Sequence, residues 1–106
     1  MDVDLGKLSV TNNEPAGRFE TTVAGQTAFL KYRRAGNRLI IIHTEVPSQL
    51  AGHGIAARLT QAALEFARSG GLKVVPFCPY VSGYIRKHRE YHDLLSEEDR
   101  QDLLSK

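Results

Sequence analysis

A change of hydrophobic period near the middle of the chain constrains the fold most. RLIIIHTEV, residues 38–46, is a nearly continuous apolar run, which predicts a strand buried on both faces in the middle of a sheet. After Pro47 and Ser48 the apolar residues recur at helical spacing, which predicts an amphipathic helix over residues 54–69, ended by the glycines of SGG. LKVVPF then predicts a second strand. A strand, a helix and a strand predict a βαβ unit with two parallel strands and a right-handed crossover.

Further strands are predicted on the N-terminal side of this unit. RFETTV and TAFLKYR are rich in β-branched and aromatic residues, and AGQ and RAGN supply hairpin turns, so three antiparallel strands are expected. The polar, turn-rich residues 1–16 are expected to be a loose lead-in. SGYIRKH and SEEDRQDLLSK predict two short helices, the second capped by Ser96. The fold class is therefore α/β, a mixed sheet with antiparallel N-terminal strands, one parallel βαβ unit and short C-terminal helices.

Composition narrows the class of protein. The 106 residues should form a single domain, 1–106, and a net charge of +2 without clustered basic and aromatic residues argues against nucleic acid as a partner. One cysteine excludes an intramolecular disulfide, and MDVDLGKLSV is neither a signal peptide nor a membrane span, so a cytoplasmic protein without membrane contact is expected. His88 and His92 lack a third ligand, so no metal is expected and a solvated polar face is predicted for them. An edge strand of the first hairpin could pair with a second copy, which makes a monomer or a weak homodimer the expectation.

The turn between the long strand and the helix carries the main chemical motif. Gln49, Gly52 and Gly54 form Q-x-x-G-x-G, so backbone N–H groups at a helix start are accessible and favour a pyrophosphate. The alternative is that the glycines only make a tight turn. Ala57 stands where a dinucleotide fingerprint needs its third glycine, and no Walker lysine follows Gly54, so Rossmann and P-loop sites are excluded.

Two motifs in a fixed order extend this interpretation to a family. HTEVPSQLAGHGIA and PFCPYVSGY, separated by the predicted helix, resemble the Gcn5-related N-acetyltransferases and their minimal single-domain branch, over residues 18–95. The resemblance implies a V-shaped splay between the two parallel strands, with acetyl-coenzyme A (acetyl-CoA) entering the gap as co-substrate. The chain lacks the two helices that follow the first strand in larger members, and little sequence remains for the last two strands. Those parts usually build the acceptor site.

The resemblance also implies which residues hold the coenzyme. The pyrophosphate would lie on the amides of the glycine turn, where His53 contributes its amide, and the pantetheine arm would pair with the strand end around Thr44 to Val46. Arg58, one turn into the helix, is placed towards the phosphates. The implied coenzyme-binding residues are Thr44, Glu45, Val46, Gln49, Ala51, Gly52, His53, Gly54, Ile55, Ala56 and Arg58.

Catalytic roles are predicted for three residues. If the strands are parallel neighbours, His43 and Cys78 can both face the thioester, and a thiol near an imidazole is more readily deprotonated. In one mechanism Cys78 carries the acetyl group with His43 as base, so that Cys78→Ala abolishes transfer. In the other, His43 or a water that it holds deprotonates an amine that attacks the thioester directly. By resemblance, Tyr84 would protonate the departing thiolate; packing is the alternative for Cys78 and for the pair Tyr80 and Tyr84.

The sequence therefore predicts an acetyl-CoA-dependent N-acetyltransferase whose acceptor is an amine of a small molecule or a protein. The alternative is a module or sensor that binds coenzyme A (CoA) without turnover, because most of the usual acceptor site is missing. Thiol release from acetyl-CoA in the presence of amines, or an acetyl group trapped on Cys78, would separate the two functions.

Overall fold

The protein forms one mixed five-stranded sheet in a computed structural model that describes residues 8–104. The strands, in their spatial order, are β1 (Thr11–Asn13), β2 (Arg18–Val23), β3 (Gln26–Ala35), β4 (Arg38–Glu45) and β5 (Lys73–Pro76). The first four are antiparallel to one another, and β5 runs parallel to β4. This arrangement confirms the predicted α/β class and the single parallel βαβ unit.

The crossover of this unit is the long helix α1 (Ile55–Gly70). It ends where Gly71 adopts a left-handed φ of 67°, close to the predicted end at SGG. One side of the helix is buried against the sheet, as the periodicity predicted. The fully or almost fully buried residues of α1 are Ile55, Leu59, Thr60, Ala63, Leu64 and Ala67.

The prediction that β4 is buried on both faces is wrong. Leu39 and Ile41 are fully buried, whereas Ile42 is 39% exposed and Ile40 is half-buried. Residues 39–42 are all apolar, but α1 packs on one face of the central strands and leaves exposed side chains such as Lys31 on the other. The sheet therefore has a covered face, towards α1, and an open face.

The predicted loose lead-in is also wrong in part. Thr11–Asn13 forms β1 and pairs with β2, so the outer strand of the first hairpin is not an edge of the sheet. Side-chain hydrogen bonds hold this segment: Asn13 donates to Glu20, and the Tyr32 hydroxyl donates to Asn12 at 2.6 Å. A short polar strand has no hydrophobic period, which is why the pattern did not reveal it. Residues 1–7 of the predicted lead-in lie outside the described residues.

Two helices and a 3₁₀ helix follow β5: α2 (Pro79–Lys87), the 3₁₀ helix Arg89–Leu94 and α3 (Glu97–Leu104). The side chains of His88 and His92 each donate to a carbonyl of the last turn of α2, at 2.7 and 2.8 Å, so they cap this helix rather than form a solvated face. Ser96 accepts from the amide of Asp99 at 3.2 Å, as the predicted cap requires. None of the helices within residues 8–104 has the length and apolar character needed to span a membrane.

Candidate active site at the parting of two parallel strands

Strands β4 and β5 separate before β4 ends. They pair over Arg38–Ile41 and Lys73–Pro76, and the carbonyl of Ile41 then accepts from the amides of both Phe77 and Cys78, at 3.0 and 3.2 Å. Strand β4 continues to Glu45 with no described residue of β5 beside it. Beyond Ile41, β4 therefore has no strand partner on this edge among the described residues, and we call this place the notch.

A β-bulge lies at the mouth of this notch. Tyr32 of β3 pairs with Ile41, but the preceding residue, Lys31, pairs with His43, so Ile42 is an extra residue in β4. An extra residue bends its strand and changes which face the following side chains occupy.

The bulge also determines where the next two side chains point. Thr44 is opposite Leu30, which is fully buried, and so lies on the covered face. His43 is opposite the exposed Lys31, and its ring packs edge-on against Phe29 with centroids 6.3 Å apart. His43 therefore lies on the open face, and Thr44 lies on the face covered by α1.

The thiol of Cys78 is on the covered side of the notch. Cys78 is 4% exposed, immediately precedes α2, and has its Sγ 3.5 Å from the Thr44 hydroxyl. Among the described residues, the imidazole of His43 is not a hydrogen-bond partner of this thiol. Sequence reasoning placed both groups near the same strand ends, but a cysteine–histidine pair is not formed in this arrangement.

The glycine turn leads from β4 into α1 with exposed backbone. Gly52 and Gly54 have φ values of 83° and 74°, in the left-handed region that favours glycine, and Leu50 between strand and turn is fully buried. The first intrahelical hydrogen bond is Arg58 N to Gly54 O at 3.2 Å. No side chain of the described residues caps α1, and its first turn has no acidic residue. Its first amides are therefore without an intrahelical acceptor, and the positive end of the helix dipole favours an anion there.

The other residues predicted to hold a coenzyme surround this turn. Gln49, Ala51 and Arg58 are exposed, and His53 is half-buried. Their exposure leaves them accessible to a ligand, which is the minimum that the prediction requires. No ligand contact tests their roles, so these assignments stay predictions.

A groove of about 530 Å³ runs between the first turns of α1 and helix α2. Its α2 side is lined by polar and aromatic side chains, and on the α1 side the small side chain of Ala57 leaves room for a ligand. Its main lining residues are Ala57, Gln61, Tyr80, Tyr84, Lys87 and His88.

Tyr84 is held firmly in this groove. Its hydroxyl accepts from the Gln61 side-chain amide at 2.9 Å, and its ring stacks on the His88 ring with centroids 3.9 Å apart. Because the amide is the donor, the phenol proton is left for another acceptor. Sequence alone does not show Gln61 as a partner, because it lies on another helix. His88 lies four residues after Tyr84 in the predicted helix SGYIRKH, a spacing that brings two side chains together. Burial, with smaller contributions from Tyr84 and Cys78, raises the pKa of the neighbouring Tyr80, which is 44% exposed.

Comparisons with known proteins agree with this architecture. A family model described as GCN5-related N-acetyl-transferase matches residues 18–94. Protein NATD1 of Mus musculus is 33% identical over 86 residues, which cover 78% of this chain and 78% of the mouse protein. Protein NATD1 of Homo sapiens is 39% identical over 62 residues, which cover 58% of this chain and 55% of the human protein. The solution structure of a GCN5-like protein from Staphylococcus aureus has a TM-score of 0.67 at 26% identity, covering 87% of this chain and 91% of that one.

Proposed function

The chain belongs to the GCN5-related N-acetyltransferase family, and on that premise we propose that it transfers the acetyl group of acetyl-CoA to an amine. The observation that carries the proposal is the notch at the end of β4, which residues 46–54 connect to the start of α1, where no described side chain caps the helix. The notch offers an unpaired strand edge to an amide-bearing arm, and the helix start offers N–H groups to a diphosphate. CoA contains both of these groups.

The coenzyme would bind in two parts. Its diphosphate would accept hydrogen bonds from the turn Gly52 to Ala56, with Arg58 adding a positive charge one turn into α1. Its pantetheine arm would lie along Thr44 to Val46, which brings the thioester to the mouth of the notch. Gln49 and Ala51 would flank the diphosphate, and the amides of His53 and Ile55 belong to the same turn.

The positions of the side chains favour direct attack by the amine. His43 on the open face would take a proton from the amine, whose nitrogen forms the C–N bond to the acetyl carbon as the C–S bond breaks. The departing thiolate would receive the Tyr84 phenol proton, which the Gln61 amide leaves unused. Cys78 would then be a buried neighbour of Thr44 and not the acetyl carrier, because no described contact links it to His43.

Mass spectrometry and a thiol assay test the activity together. The protein is incubated with acetyl-CoA, with and without a panel of amines, and both the intact mass and free CoA thiol are measured. Thiol release that depends on an amine supports the proposal, and a bound coenzyme without any release supports the non-catalytic module instead. An acetyl group trapped on the protein would support the covalent mechanism.

Variants of the open face test the base. His43→Gln should lower kcat/KM by about 10²-fold, the smaller end of what a general base contributes, without changing affinity for CoA. Lys31→Gln, which alters the cross-strand neighbour of His43, is the matched control and should retain turnover. Equal losses of turnover in the two variants would mean that a change to this face of the sheet, and not the loss of the imidazole, lowers the activity.

A further inference from the structure

Three large apolar side chains are exposed in the described part of the protein. They are Ile42 (39% exposed), Phe77 (71%) and Tyr80 (44%). Ile42 is the bulge residue of β4, Phe77 follows the last paired residue of β5, and Tyr80 lies two residues after Cys78. Ile42 and Phe77 each directly follow the last paired residue of their strand, so both residues lie at the notch.

A second groove begins at the most exposed of these residues. This groove, which we call the Phe77 groove, has a volume of about 220 Å³ and lies between the end of β5, α2 and α3. Its walls are the apolar side chains of Val75, Pro76, Phe77 and Leu103, and the carboxylates of Asp99 and Asp102 line it as well. Because Phe77 and Cys78 donate to the same carbonyl of Ile41, the groove starts directly beside the notch.

The charge of the Phe77 groove is negative. Asp99 and Asp102 lie one helical turn apart on α3, and within residues 8–104 neither forms a salt bridge. Arg86 also lines the groove, but its Nε donates to the carbonyl of Leu103 at 3.3 Å. Two carboxylates and one guanidinium leave a net charge of −1, which suits a cation.

We propose that the Phe77 groove binds the chain of an acceptor that carries a second ammonium group, so that the acceptor is an aliphatic di- or polyamine. This inference rests on the proposed acetyl transfer. One amino group, neutral, attacks the thioester at the notch and loses its proton to His43, while CoA leaves as the thiol. The other ammonium group stays charged near Asp99 and Asp102, and the methylene chain lies against Phe77.

The size of the groove and the number of charges favour a small amine over a protein. The volume is below the 300–1,000 Å³ or so of pockets for drug-sized ligands, which suits a slim unbranched chain. A lysine side chain has a single amino group, and the reaction would neutralise it at the notch. A lysine acceptor would therefore leave the two carboxylates without a cation.

Acceptors of equal length test the second charge. We would compare kcat/KM for 1,5-diaminopentane, 5-aminopentan-1-ol and a short lysine-containing peptide at one ionic strength. The diamine should exceed the amino alcohol by about fivefold, since an exposed ion pair contributes at most about 1 kcal/mol. The preference should fall as salt is added. A lysine peptide that reacts better than the diamine, or an amino alcohol that equals it, would overturn the proposal.

Variants of α3 and β5 assign the preference to the groove. Asp102→Asn should reduce the preference for the diamine to about half or less, whereas Glu98→Gln, the same loss of charge on α3 but outside the groove, should leave it unchanged. Phe77→Ala should lower kcat/KM for both alkyl amines. Equal effects of Asp102→Asn and Glu98→Gln would overturn the proposal, because they would indicate the overall charge of the helix and not this groove.

A binding experiment separates this inference from the proposed function. 1,5-Diaminopentane is titrated into the protein without acetyl-CoA, and the backbone NMR signals of Asp102 and Leu103 are followed. If no amine releases CoA but the diamine shifts these signals and Asp102→Asn weakens the shift, the proposed acetyl transfer is wrong and the proposed binding of a diamine in the Phe77 groove is supported. If amines release CoA and the diamine shifts neither signal, the proposed binding of a diamine in the Phe77 groove is wrong and the proposed acetyl transfer is supported.

Discussion

Cys78→Ala separates the two mechanisms, because the structure predicts an effect on stability without an effect on catalysis. The thiol is 4% exposed and touches the Thr44 hydroxyl at 3.5 Å. Replacing the sulfur by hydrogen leaves a cavity smaller than that of a Leu→Ala change. A cost of about 1 kcal/mol, similar to losing one buried methylene, is expected. For a domain of this size that lowers Tm by about 4–8 °C.

The effect on turnover distinguishes direct attack from covalent transfer. If the amine attacks the thioester directly, kcat/KM should stay within about threefold of the wild type. If Cys78 carries the acetyl group, the loss should reach about 10³-fold or more, as for removal of other nucleophiles. The assay is release of CoA thiol at a temperature well below the lowered Tm, with calorimetric affinity for CoA measured on the same samples.

One result would refute the assignment of Cys78 to packing. A folded Cys78→Ala protein that binds CoA normally and does not turn over, while Cys78→Ser is equally inactive, would show that the thiolate is required. An acetyl group trapped on wild-type Cys78 would confirm it independently. His43→Gln in parallel shows the effect of losing the proposed base in the same assay.

Three further perturbations test the turn, the hairpin and the C-terminal packing. Gly52→Ala should weaken CoA binding in calorimetry, because the φ of 83° at Gly52 strains any residue with a side chain. The control is Gly36→Ala in a distant hairpin, where φ is 60° and a new Cβ meets open space. Both variants should lose about 1 kcal/mol of stability, but Gly36→Ala should leave the affinity for CoA unchanged. Gly17→Ala should lower the free energy of unfolding in urea by about 2 kcal/mol or more, because the new Cβ would lie 2.8 Å from the carbonyl oxygen of Tyr32 at a φ of 67°. A loss of stability no larger than that of Gly36→Ala would contradict this contact. Burial above all raises the pKa of Tyr91 to about 12 from 10.0, so the folded protein holds this proton more tightly than the unfolded chain and stability should fall as pH rises between these values. Tyr91→Phe should flatten that part of a plot of urea midpoint against pH, and an unchanged slope would count against the assignment.

Local patterns predicted much of the fold and the position of the glycine turn. The helix over 54–69 is within one residue of Ile55–Gly70, because an amphipathic face has a period that does not depend on the rest of the protein. The turn at Gly52 and Gly54 was also visible, since glycine is the residue that adopts positive φ without strain. The contact of Tyr84 with Gln61 was not, because it depends on the packing of two helices, whereas the stacking of Tyr84 on His88 has the i, i+4 spacing of one helix face.

The sequence by itself determined most of the elements, their order and the parallel βαβ unit, since these follow from period, turn residues and connection length. Only the tertiary structure decided which faces the functional side chains occupy. Residues 39–42 of β4 are all apolar, so no alternation reveals the extra residue at Ile42, and one inserted residue reverses the faces of the side chains that follow. That bulge places His43 on the open face and Thr44 beside Cys78. The difference between a covalent and a direct mechanism therefore depends on a strand register, which a local pattern does not contain.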